Sequence, residues 1–145
     1  MSSLLRATLI VLALLTTVSC TSKRMYSPTR IVPATVQVDQ EHMKQAILKT
    51  LVARKWTVQR VSPDVIQAEI TVRNKYHAEI DIEYAPTHYK IVYRDSRELD
   101  YKDGKIHKNY IRWVRLLDRG ILSRLKNTQI EQTAQQLSTA PAAAQ

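Results

Sequence analysis

The sequence predicts an α+β fold: a four- to five-stranded antiparallel sheet with two helices packed on one face, in the order β-α-β-β-β-β-α. Three observations predict it. Between Trp56 and Arg94, apolar and polar residues alternate with a period of two, in runs separated by Ser62-Pro63-Asp64, Asn74-Lys75 and Pro86-Thr87. Such alternation marks strands with one buried and one wet face. On both sides of this block the apolar residues recur at helical spacing instead. The chain has 145 residues, enough for one small domain and not for two.

The first expected element is a strand over 31–38, where Pro33 suits an edge position. Asp39 then offers a helix N-cap, and Val38 and Met43 have the spacing of a hydrophobic staple. Met43, Ala46, Ile47 and Leu51 continue as the apolar stripe of a helix over 40–54. Strands are expected over 56–61, 65–73, 77–85 and 88–94. If the last two pair about Pro86-Thr87, Tyr84 lies opposite Tyr89, Ile82 opposite Ile91, Glu83 opposite Lys90, and Glu79 faces Arg94. A polar connection over 95–105 turns at Asp103-Gly104. The final helix is expected over 106–126, with Ile106, Tyr110, Trp113, Val114, Leu117, Ile121 and Leu125 facing in. Gly120 within it weakens the helix by about 1 kcal/mol relative to Ala, which points to close packing there.

The expected domain therefore spans 31–126. Residues 21–30 read as a polar tether. Residues 127–145, rich in Gln, Thr and Ala, read as a disordered tail with too little apolar surface to offset its ordering entropy.

The first twenty residues are of another kind. Arg6 precedes an apolar run from Ala7 to Leu15, interrupted only by Thr8, shorter than the roughly 20 residues a membrane span needs but the length of a signal-peptide core. It ends in Thr17-Val18-Ser19-Cys20, the chain's one cysteine. This ending resembles the lipobox of bacterial lipoproteins. The resemblance implies a signal peptide over 1–19, cleavage before Cys20, and lipids, including fatty acyl chains such as palmitate, on Cys20. Two or three chains would hold the protein firmly to a membrane. Thr21 is not the Asp that signals inner-membrane retention in those lipoproteins, so the implied location is the outer membrane, facing the periplasm. With Cys20 lipidated, no disulfide within the chain is available.

Two further resemblances bear on the domain. The element order is similar to that of the helix-grip domains of accessory lipoproteins in outer-membrane β-barrel assembly. The stretch from Lys55-Trp56 through Ala68-Glu69-Ile70, residues 77–84 and residues 91–96 to residues 106–114 resembles a group of small proteobacterial lipoproteins. Neither resemblance implies a mechanism.

No nucleophile elbow, phosphate-binding Gly loop, dinucleotide fingerprint or paired-His metalloprotease helix is present. The chain contains only two Gly. No catalytic residue, cofactor or metal is expected, and the protein reads as a non-enzyme. His77, Glu79, Asp81 and Glu83 share one strand face, and His with carboxylates could ligate a metal; but alternate residues of a strand stand about 7 Å apart, which favours a solvated face paired with basic neighbours.

Two other groups are candidates for binding. Tyr89, Tyr101, His107, Asn109, Tyr110 and Trp113 could line a groove between the last helix and the sheet. Lys108, Arg112, Arg115, Arg119 and Lys126 fall together on one helix face. Lys and Arg outnumber Asp and Glu by 22 to 13, a formal charge of +9, and loss of Arg6 with the leader lowers this by one. Such a charge ordinarily suggests nucleic acid, but the export signal points instead to anionic lipid, lipopolysaccharide or an acidic protein. The leading expectation is an envelope-anchored binding or assembly module. The alternative is a small-ligand carrier with a Tyr-rich cavity between sheet and helices.

Overall fold

A computed structural model describes residues 21–33 and 38–139. The fold is α+β. A five-stranded antiparallel sheet has the order β2-β6-β5-β4-β3, and a two-stranded ribbon pairs β1 with β7. The strands are β1 (Ser22–Arg24), β2 (Thr29–Ile31), β3 (Thr57–Val61), β4 (Val65–Val72), β5 (Tyr76–Ala85), β6 (His88–Arg97) and β7 (Lys105–His107). The helices are α1 (Gln40–Ala53) and α2 (Lys108–Thr139).

The central meander follows from the alternation. Ile66, Ala68 and Ile70 of β4, Ala78, Ile80, Ile82 and Tyr84 of β5, and Tyr89 and Ile91 of β6 are buried in one core. Met43, Ala46, Ile47 and Leu51 of α1 and Tyr110, Val114, Leu117, Ile121 and Leu125 of α2 join the same core. The pairings Tyr84–Tyr89, Ile82–Ile91 and Glu83–Lys90 occur as the pattern predicts. Glu79 departs from it. The register shifts between Glu79 and Ile80, so Glu79 lies opposite Asp95 and Arg94 becomes the extra residue of a bulge. The bulge still aims Arg94 at Glu79, with Nη2 2.8 Å from Oε2.

Both ends of α1 are closed locally. The Asp39 carboxylate accepts from the backbone N–H of His42 at 2.7 Å, the N-cap bond the sequence foretells. At the other end Lys55 takes φ 62°. The N–H of Trp56 then reaches the Leu51 carbonyl at 2.9 Å and that of Lys55 the Val52 carbonyl at 3.0 Å. This is a Schellman closure in which Lys stands where Gly is usual. Asp103 and Gly104 form the expected turn, at φ 50° and 70°, between Lys102 and Lys105, which exchange two 2.9 Å hydrogen bonds.

Three boundary expectations are corrected. Residues 21–30 are not a tether, because β1 and most of β2 lie there. The Lys108 N–H donates to the Thr21 carbonyl and the Met25 N–H to the Gly104 carbonyl, so free edges of β7 and β6 capture the segment. The strand expected over 31–38 lies earlier, at 29–31, while residues 34–37 fall outside the described residues. The last helix starts at Lys108, since Ile106 belongs to β7. It also runs through 127–139, where disorder was expected. A packed helix has already met its nucleation cost, and Gln and Ala propagate it readily with no Gly or Pro before Pro141. The rest of the expected tail, 140–145, lies outside the described residues, as do Cys20 and the expected signal peptide over 1–19. No described helix is long and apolar enough to cross a membrane.

Candidate functional site

The six groove candidates do not converge. Tyr89 is fully buried on β6, and its hydroxyl donates to Asp118 Oδ1 at 2.8 Å. Tyr110 is fully buried on α2 and meets the Tyr93 ring edge-on at 5.7 Å. Tyr101 lies half-exposed over Tyr93 at 4.5 Å. His107 ends β7, stacks on Tyr76 at 6.2 Å, and accepts the Asn109 N–H on Nδ1 at 3.2 Å. It therefore acts as the N-cap of α2. Only Asn109 and Trp113 line a common surface depression, of about 410 Å³, beside Tyr76 and Arg112.

The two inner tyrosines fill the core rather than border a space. Among the described residues, the Tyr110 hydroxyl is the buried side-chain polar atom with no hydrogen-bond partner, and burial pushes its pKa upward. An unsatisfied buried hydroxyl costs about 1–3 kcal/mol. Tyr110→Phe is therefore expected to raise stability by about 1 kcal/mol, read as a higher urea midpoint. A lower midpoint would show that the hydroxyl has a partner.

On the wet face of the sheet, two bulge residues meet. Gln59, the extra residue of β3, donates to Glu69 Oε2 at 2.7 Å and accepts from Arg94. Arg94 also pairs with Glu79 and, at 3.2 Å, with Asp81. The ligand atoms of Glu69, His77 and Glu79 lie within 4.8 Å of one another. The strand-face set His77, Glu79, Asp81 and Glu83 thus gives way to a triad drawn from two strands, because Glu69 stands directly across from Glu79. These groups already have partners. His77 Nε2 lies 3.1 Å from Glu79 Oε1, and Nδ1 lies 2.9 Å from the Thr71 hydroxyl. The contacts from His77 and Arg94 hold the Glu79 carboxyl below its usual range despite burial.

The five basic candidates do share a surface. Lys108, Arg112, Arg115, Arg119 and Lys126 are all exposed on α2. Their spacing stacks them in one stripe about 27 Å long, at 1.5 Å rise per residue. The one acid between Lys108 and Lys126 is Asp118, and it is buried at 1% exposure. Asp118 belongs to a cluster the sequence reading missed. Arg30 Nη2 reaches its Oδ2 at 2.6 Å and Nε its Oδ1 at 3.0 Å. The Tyr26 hydroxyl donates to Oδ2 at 3.3 Å. Burial raises the Asp118 pKa, but the bonds from Arg30 and Tyr89 outweigh it and hold the carboxyl below the ordinary value. The available signal was one acid on the inner side of a basic helix, with an Arg in the segment read as a tether.

The start of α2 carries no acid in its first turn. Lys108 instead sits at the positive end of the helix dipole, where a cation costs about 0.3–1 kcal/mol. Arg115 lies over the Tyr26 ring at 5.2 Å. At the middle of α2 the stripe adjoins a groove against the end of α1, where Arg119 lies with Arg54 and Arg124. The surface as a whole presents cations that can hold an anion. No protein-family model matches the sequence, and a search of characterised proteins finds no significant match.

Proposed function

We propose that the protein is an envelope lipoprotein, anchored through lipids on Cys20, whose domain binds an anionic envelope component without catalysis. The observation that carries this reading is the α2 stripe. Five cations stay exposed on one helix face while the only intervening acid is buried against Arg30. One of the cations, Lys108, opposes the helix dipole, which is unfavourable in the isolated domain and is offset when an anion binds. The attachment of Thr21 to α2 adds a geometric point. A lipid on Cys20 would leave one peptide bond between the anchor and the folded body, so the start of α2 would sit at the headgroup layer, where each basic residue contributes about 1 kcal/mol on an anionic surface.

The described fold lies within 21–139, so the chain from residue 20 with Cys20→Ser serves as a soluble probe. It is expected to sediment with phosphatidylglycerol vesicles at low salt, to be released as salt rises, and to ignore phosphatidylcholine vesicles. Arg112→Gln/Arg115→Gln/Arg119→Gln is expected to weaken binding at least about tenfold. No binding to the anionic vesicles at low salt defeats the reading. Intact mass of the membrane-extracted protein tests the anchor separately: it should exceed the mass from residue 20 by a diacylglycerol and a fatty acyl group.

A further inference from the structure

We propose that the groove between the end of α1 and the middle of α2 is a phosphate-binding site, built by the guanidinium groups of Arg54, Arg119 and Arg124. The proposal rests on the reading of the domain as a binder of anionic material, and names the site and the chemical group. It requires neither a membrane nor the lipid on Cys20.

The groove is an open concavity of about 600 Å³, and Thr50, Ser123 and Asn127 line it beside the three arginines. Among the described residues, no carboxylate lines it. Among the described residues, Arg54 and Arg124 form no ion pair, and Arg119 makes only a 3.4 Å contact to the Arg115 carbonyl. Three guanidinium groups around one concavity repel one another, and an anion between them removes that cost. Arg suits phosphate in particular, because its planar fork donates two parallel hydrogen bonds to a pair of phosphate oxygens. The hydroxyl of Ser123 and the amide of Asn127 supply the neutral donors that complete such a shell.

The helix packing creates the site. A Cβ at Gly120 would lie 2.6 Å from Thr50 Cγ2 and 3.8 Å from Arg54 Nε. The bare α2 backbone therefore lets α1 approach until the Arg54 guanidinium lies over Gly120, one residue from Arg119. The C-terminal end of a helix ordinarily repels anions. Here the N–H groups of Arg54, Lys55 and Trp56 occupy carbonyls of the last α1 turn, which reduces that repulsion. The groove also differs from the stripe in shape: the stripe is one helix face, while the groove is an open concavity lined by residues of both α1 and α2.

The test uses the chain from residue 20 with Cys20→Ser, titrated with pyrophosphate and followed by the Arg Nε–Hε resonances. Phosphatidylglycerol vesicles form a second arm. Arg54→Gln/Arg124→Gln alters the groove and spares the stripe, whereas Lys108→Gln/Lys126→Gln does the reverse. Saturable binding that the groove pair weakens at least about tenfold, and the stripe pair by less than about twofold, supports the proposal. Arg54→Lys/Arg124→Lys keeps the charge, loses the fork, and should fall between. Groove-dependent binding of pyrophosphate identifies a free phosphate ligand, and groove dependence confined to vesicles identifies a lipid phosphate. Binding weakened equally by the two pairs, or by neither, overturns the proposal. In that case loss of vesicle binding in the stripe pair alone would still leave the membrane-binding reading standing. Circular dichroism confirms that each variant is folded.

Discussion

Asp118→Ala is expected to destabilise the protein by about 3 kcal/mol. The carboxylate is 2% exposed and Arg30 is 41% exposed, so the two ends of the pair respond differently. Arg30 can turn to water when its partner is lost, which keeps the loss toward the lower end of what breaking a buried ion pair costs. Tyr89 is less free: its hydroxyl is buried and retains only a 3.2 Å contact to the Asp118 carbonyl. The damage should also be local. Arg30 and Tyr26 fasten the segment from Ser22 to Ile31 onto α2, so amide exchange in β2 should rise more than in β4 or β5. Urea denaturation and hydrogen exchange check both points, and a wild-type urea midpoint would refute the structural role.

Asp118→Asn separates charge from hydrogen bonding. The native Asp118 pKa lies below its ordinary value of 3.8. Its contribution to stability is therefore complete above that value and is lost as pH falls through the lower native one. Wild type should accordingly exceed Asp118→Asn in stability at neutral pH, and the difference should shrink below about pH 4. A gap that stays constant into acid would mean the carboxylate is not held ionised by Arg30 and Tyr89.

Gly120→Ala is expected to destabilise the protein by about 1–2 kcal/mol, although Ala favours a helix over Gly by about 1 kcal/mol. The new methyl would stand 2.6 Å from Thr50 Cγ2. That methyl cannot easily turn aside, because Thr50 is buried and its hydroxyl donates to the Ala46 carbonyl at 2.6 Å. Either that bond breaks or the helices separate. Thr50→Ser removes Cγ2 and keeps the hydroxyl. In that background Gly120→Ala should be neutral or stabilising, and the sign change is the test. Destabilisation of equal size in both backgrounds would place the conflict elsewhere.

Much of the fold is legible in the residues themselves. Period-two alternation in β4, β5 and β6 determines which face is buried, because a slip of one residue would turn every isoleucine to water. Asp39 and the Val38–Met43 pair mark where α1 begins, since capping is a contact between near neighbours. The α2 stripe is legible for the same reason: residues 108, 112, 115, 119 and 126 meet through helical periodicity alone. Gly120 signals close packing without revealing its neighbour.

Other features depend on contacts between residues far apart in the chain, which no local pattern records. Arg30 and Asp118 are separated by 88 positions, and only the sheet order β2-β6-β5-β4-β3 with α2 across it brings them together. The three-residue strands β1 and β2 are too short for a period. They exist because β7 and β6 offer unpaired edges. The bulges at Gln59 and Arg94 shift the register, and that shift joins the two residues over Glu69 and Glu79. Arg54 shares a groove with Arg119 and Arg124 because one helix lies against another at a glycine. Local spacing determined the layers and the basic stripe of α2, while long-range packing decided the buried Asp118 pair, the loss of the tether and the arginine groove.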